Sequence, residues 1–133
     1  MWRFARGNLF AGGPLGKMSR TLVARALQWN MLTTRIMLRA AKDRELVGSA
    51  SVDYLMYSGF VMVAYFWALQ AAKAQELIDS GKGAESVEFY RAKIQTAEFY
   101  FERLLPRADG HRKGALAPTR SVMQMDKEHF AFS

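Results

Sequence analysis

Hydrophobic residues recur along this chain at helical spacing, but in one long stretch the polar side of the pattern disappears. From Tyr54 to Leu69, sixteen residues, there is no charge. A helix built there has no face suited to bulk water and must be covered by protein or by lipid. Ser49 or Ser51 can cap its start, Asp53 suits the first turn, and it is predicted to run to Ser80. Gly81-Lys82-Gly83 then breaks it, glycine supplying a left-handed cap. Sixteen residues span roughly 24 Å at the helical rise, less than the roughly 30 Å hydrocarbon core of a bilayer. Tyr54, Tyr57, Ser58, Gly59 and Tyr65 add polarity, and Ala64, Ala68 and Ala72 form a smooth strip for a neighbouring helix. The pattern therefore reads as the central helix of a bundle, sheltered by the chain's other helices, with a membrane span as the alternative.

Two flanking helices follow from the same periodicity. The first runs from an N-cap at Ser19 to about Lys42, with Leu22, Ala26, Trp29, Thr33, Ile36 and Ala40 on one face. Arg20, Arg25, Arg35, Arg39 and Lys42 occupy an arc of roughly 140° opposite. Met31, Leu32 and Leu38 interrupt that arc, which suggests that this face also meets a second surface. A membrane-surface helix and a nucleic-acid contact are the alternatives there, though no recognisable nucleic-acid reading motif is present. Asp43 to Val47 is a polar connection to the central helix. The last long helix, about Ala84 to Leu105, has a seam of Val87, Tyr90, Ile94, Ala97, Phe101 and Leu104, with Phe99 off the seam. Pro106 is expected to stop it, 106–120 to be loop-like, and Ser121 to Phe132 to dock Val122, Met123, Met125 and Phe130 in a helical turn or two. The predicted fold is all-α, an antiparallel bundle of three long helices plus a short C-terminal helix over residues 19–133. Residues 1–18 are expected to be an extended lead-in or linker, an organellar transit peptide being the alternative.

Charge sharpens this picture. Residues 1–42 carry eight basic side chains and no acid, whereas 43–133 carry eleven basic and twelve acidic, so the net charge of +7 resides in the first third. The chain has no cysteine, which removes disulfides, thiolate metal sites and cysteine nucleophiles together. At 133 residues it forms one modest core.

Reactive motifs are hard to find. Ala11 to Met18 approximates a phosphate loop, but Ala11 stands where glycine is required and Met18 where a hydroxyl must ligate magnesium. His111 and His129 lie in different segments without ligand spacing and read as exposed polar residues. Glu76, Glu85, Glu88, Glu98 and Glu102 lie at helix ends or flanks near Lys or Arg, as solvated carboxylates do.

One resemblance rests on packing residues. Gly48-Ser-Ala-Ser-Val-Asp-Tyr-Leu55, Gly59, Trp67 and Ala71-Ala72 resemble the additional C-terminal helical domain of bacterial acyl-CoA dehydrogenases. The likeness continues through Ala92-Lys93, Ala97-Glu98-Phe99-Tyr100, Leu104-Leu105-Pro106, Met123, Met125 and the Phe130 region. The resemblance implies a parent enzyme that holds FAD and uses a Glu to remove the α-proton of an acyl-CoA, all upstream of this domain. It transfers no catalytic, cofactor or metal residue to this chain, so the expectation is an accessory domain without a cofactor of its own. The expected partner is a cytoplasmic dehydrogenase core or a second copy, with no nucleic acid; a small basic membrane-associated protein is the alternative. Arg25, Met31, Leu32, Arg35, Leu38, Arg39 and Phe99 are the candidate contact residues.

Overall fold

A computed structural model describes residues 2–125 and 127–130. Helix α1 is Trp2–Asn8, α2 is Gly13–Ala40 and α3 is Glu45–Ser80. Helix α4, Val87–Phe99, runs on through a π turn, Tyr100–Leu104, and a 3-10 turn, Leu105–Arg107, into α5, Ala108–Ala115. A one-turn α6, Arg120–Met123, and a 3-10 turn, Lys127–Phe130, follow, and no strand occurs among the described residues. The architecture is all-α. Helix α3 is its axis: α2, α4 and α5 all pack on it, while α1 packs on α2.

The core lies along one side of α3 in two halves. In one, Ala64, Ala68 and Ala71 allow Met18 and Leu22 of α2 and Ala97 and Tyr100 to close in. In the other, Ala50, Tyr57 and Val61 meet Leu32 of α2 and Ala108 and Ala115 of α5. Small residues at helical spacing set the approach, as the alanine pattern suggests, although Ala71 rather than Ala72 completes the buried strip.

Several local expectations change. The lead-in is not extended: Trp2–Asn8 is helical, and α2 begins at Gly13 with Pro14 in its first turn, where a missing N–H costs nothing. Phe4 packs on the core, so this segment adds to the bundle. Ser19 caps nothing; it is buried within α2, and its hydroxyl has no hydrogen-bond partner among the described residues. Helix α3 begins at Glu45, ahead of Ser49 and Ser51, where Asp43 Oδ1 accepts from the Glu45 N–H at 3.1 Å. Gly81 ends α3 at φ 66°, as anticipated.

Pro106 redirects the chain without ending helical structure. Proline has no N–H to give and its ring crowds the carbonyl four residues back. The helix accommodates this by widening into the π turn, where the Leu105 N–H bonds the Tyr100 carbonyl, and then tightening into the 3-10 turn. The segment after Pro106 is helix α5, not loop. With α1 and α5 added and the third long helix divided, the count of three long helices plus one short one is only approximate. Val122 and Met125 do not dock; both are mostly exposed. The Met123 and Phe130 side chains lie outside the described residues.

Candidate interaction surfaces

The sequence-derived contact residues divide between the interior and two separate outer surfaces. Leu32 is 2% exposed and belongs to the core under α5. Its position inside the basic arc on a helical wheel hid this, because α5 covers that side of α2.

Arg25 is also an internal residue. Its side chain is 13% exposed and its guanidinium grips Asp109 of α5 in a two-pronged pair, Nη1–Oδ1 2.6 Å and Nη2–Oδ2 3.0 Å. Gln28 accepts a further bond from Arg25 at 3.0 Å, and the buried Tyr57 hydroxyl shares its single proton between Gln28 at 3.2 Å and the Arg25 carbonyl at 3.3 Å. The Arg25 hydrogen bond holds the Asp109 carboxyl below the usual carboxylate range, while burial of Tyr57 raises its phenol. Three further polar links fasten the segment after Pro106. His111 Nδ1 lies 2.8 Å from Asp53 Oδ1, with its ring stacked on Phe60 at 5.8 Å; Arg39 donates to the Leu116 carbonyl at 2.9 Å; and Thr119 donates to Asp43 at 2.6 Å. His111 is therefore a half-buried tie between α3 and α5, not a free surface histidine. These ties make α5 part of the bundle.

What remains outward on α2 is Met31 and Leu38, 54% and 68% exposed, with Arg35 beside them. Leu27, half exposed, falls on the same arc, so the surface is an apolar stripe edged by arginine. Phe99 is 56% exposed on α4.

The larger surface is one the sequence reading assigned to the interior. Val52, Leu55, Met56, Met62, Val63, Phe66 and Leu69 of α3 are 37–69% exposed. Only 28% of the most apolar eighteen-residue window of α3 is buried, and the helix is long and apolar enough to cross a bilayer by length and composition. The sixteen-residue run understated this length, because the uncharged stretch continues through Gln70, Ala71 and Ala72 within a 36-residue helix. Shelter by the chain's own helices is thus one-sided. A helix apolar all round gives no hint in sequence of which side its neighbours will take.

Two recesses border these surfaces. One of about 540 Å³ is lined by Trp29, Ile36, Val47, Ala50, Tyr54 and Leu55 among others. At its wall the Tyr54 hydroxyl accepts from Trp29 Nε1 at 3.1 Å and pairs with Thr33 at 2.8 Å. The other, about 380 Å³, lies between Leu55, Met56, Gly59, Phe60, Val63 and Tyr100. Neither is lined by a charged side chain. Among the described residues, no three His, Cys, Asp or Glu converge as metal ligands.

The fold and its surfaces define a helical domain with exposed apolar faces. The chain belongs to the family described as "Acetyl-CoA dehydrogenase C-terminal like", which it matches over residues 4–126. The match takes in α2 and begins at Phe4, within α1, well ahead of the residues from Gly48 onward that carry the sequence resemblance. It is also similar to the broad-specificity linear acyl-CoA dehydrogenase FadE5 of Mycobacterium tuberculosis, 28% identical over 127 residues. That alignment covers 90% of this chain and 21% of the relative, so the chain spans about a fifth of the length of the dehydrogenase it matches. No solved structure matches the chain.

Proposed function

We propose that this chain is a non-catalytic accessory domain that associates with the flavin-bearing body of an acyl-CoA dehydrogenase in cytoplasmic fatty acyl-CoA oxidation. The outer face of α2 carries the reading: Leu27, Met31 and Leu38 stand in the open beside Arg35, on a helix whose opposite side enters the core. Apolar residues with a cationic border are the composition of a contact surface, with arginine able to pair with a partner's carboxylate. Family membership supports a dehydrogenase body as that partner, since the unmatched four-fifths of the relative supplies what this chain is proposed not to need. Proton abstraction and hydride transfer belong, on this reading, to the body, and the accessory domain acts by binding.

The test uses the 133-residue chain and the separately purified acyl-CoA dehydrogenases of its source cell, mixed in pairs and followed by sedimentation. The expected result is a saturable complex with one of them, disrupted by Met31→Asp with Leu38→Asp. A chain that by itself turns yellow with bound flavin and oxidises an acyl-CoA refutes the proposal.

A second reading is favoured by one observation, the largely uncovered α3. There the chain lies on a membrane, α3 entering lipid and the basic α2 meeting anionic headgroups. Salt-sensitive co-sedimentation with anionic liposomes supports that reading, and its absence removes it.

A further inference from the structure

The exposed stripe of α3 has an internal symmetry. Its residues are Val52, Leu55, Met56, Gly59, Met62, Val63 and Phe66. Counted from Gly59, apolar side chains stand three, four and seven positions away in both directions. At fourteen positions, Glu45 lies on one side and Lys73 on the other, both exposed. We propose that α3 pairs with α3 of a second copy of this chain, antiparallel, across a two-fold axis at Gly59.

Such an axis sets residue i opposite residue 118 − i, and each contact occurs twice. Met56 meets Met62 of the second copy, Leu55 meets Val63, and Val52 meets Phe66. At both ends Glu45 faces Lys73 of the other copy, where Lys73 is bonded at 2.7 Å to Glu76 of its own helix, so pairing adds a second carboxylate to that lysine. From Tyr54 to Ala72 nothing on the helix carries charge, and Asp53, nearest to the stripe, is turned aside to His111.

Gly59 supports the position of the axis. A glycine inside a helix is unfavourable, and here the chain's own packing does not call for it: a Cβ built at Gly59 meets nothing within 4 Å. Close approach of a second helix backbone gives the missing side chain a purpose. The recess beside it, walled by Phe60 and Tyr100, receives side chains from the facing stripe. The area is also sufficient. At the observed exposures the stripe presents on the order of 600 Å² per copy, about 1,200 Å² for the pair, the lower bound of a standard interface. This inference goes beyond the accessory-domain reading and uses a different face, so either can fail while the other stands.

The cysteine-free chain allows a direct test of register. Gly59→Cys is expected to form a disulfide-linked dimer under mild oxidation. Val52→Cys alone should not, because antiparallel pairing places the two copies of that position about 21 Å apart, whereas Val52→Cys mixed with Phe66→Cys should cross-link. In sedimentation the wild-type chain is expected to be a dimer, and Gly59→Leu to weaken it by at least about 30-fold, as for a central interface residue. Helical signal and melting of the Gly59→Leu monomer should be retained, since the side chain enters open space. Glu45→Lys should weaken pairing and added Lys73→Glu restore it. A monomer at high micromolar concentration overturns the proposal, as does a dimer indifferent to Gly59→Leu. So does Val52→Cys linking to itself, which denotes parallel pairing, or flotation of the wild-type chain with uncharged phosphatidylcholine vesicles. Loss of dehydrogenase binding in Gly59→Leu, with no dimer in the wild type, assigns this face to the body instead.

Discussion

Replacing Asp109 with Asn tests the polar clamp that makes α5 part of the bundle. The substitution keeps the side-chain shape and removes the charge. The Arg25 side chain is 13% exposed and Asp109 41%, so the pair is only partly withdrawn from water. Hydrogen bonds to charged groups contribute roughly 1.5–3 kcal/mol net, and solvent screening on the Asp109 side lowers the expected loss to about 1–2 kcal/mol. For a domain of this size that corresponds to a fall in melting temperature of about 3–6 °C. The assay is thermal unfolding by circular dichroism at several pH values. Arg25 depresses the native Asp109 pKa, so the pair's contribution is present above the unfolded value of about 3.9 and is lost as pH falls through the depressed native value. The gap between wild type and Asp109→Asn should therefore be full near pH 6 and close in acid. A gap that is absent at pH 6, or that does not narrow as the solution is acidified, refutes the clamp as the source of stability.

Other substitutions probe the core and its junctions. Tyr57→Ala should cost about 3–5 kcal/mol, from an emptied ring site, and Tyr57→Phe about 1 kcal/mol, from the lost hydroxyl bonds, by urea unfolding. Equal costs would show that the hydroxyl, not the ring, dominates. Ser19→Ala removes a buried hydroxyl that has no partner among the described residues and should stabilise by about 1 kcal/mol; destabilisation contradicts that reading of the site. At Gly114 a Cβ would collide with the Asp53 carboxylate, so Gly114→Ala should loosen the Asp53–His111 tie. Hydrogen exchange is then expected to accelerate in α5 while α2 and the C-terminal half of α3 stay protected.

Much of the bundle is legible in the sequence because its signals are local. The Gly81 terminus, the seam from Tyr90 to Leu104 (Val87, its expected first member, stays 42% exposed) and the close-packed alanines of α3 depend on residue type and spacing within one element. The misread features depend on elements meeting. Pro106 punctuates a chain, but whether helix resumes beyond it is decided by Asp53 and Arg25 bonding α5 and by Tyr57 packing in the same cluster as Ala108 and Ala115. Arg25 and Leu32 belong to the outer arc on a wheel that takes no account of α5. Hydrophobicity on every side of the uncharged middle of α3 marks a helix unsuited to water, yet cannot tell which side the chain's own helices take. The spacing of Leu55, Met56, Met62 and Val63 about Gly59 was available in the sequence, but acquires meaning only once Tyr57, Val61, Ala64 and Ala68 are seen to take the opposite side.

The proposed role of this chain is to dock to a dehydrogenase body and perform no chemistry alone. Sedimentation of the purified chain with each flavoprotein acyl-CoA dehydrogenase of its source cell, followed at the flavin absorbance, addresses it most directly. The prediction is a stoichiometric increase in the mass of one flavoprotein, abolished by Met31→Asp with Leu38→Asp and retained in Gly59→Leu. Flavin co-sedimenting with the isolated chain, or no complex with any of these enzymes, would contradict it.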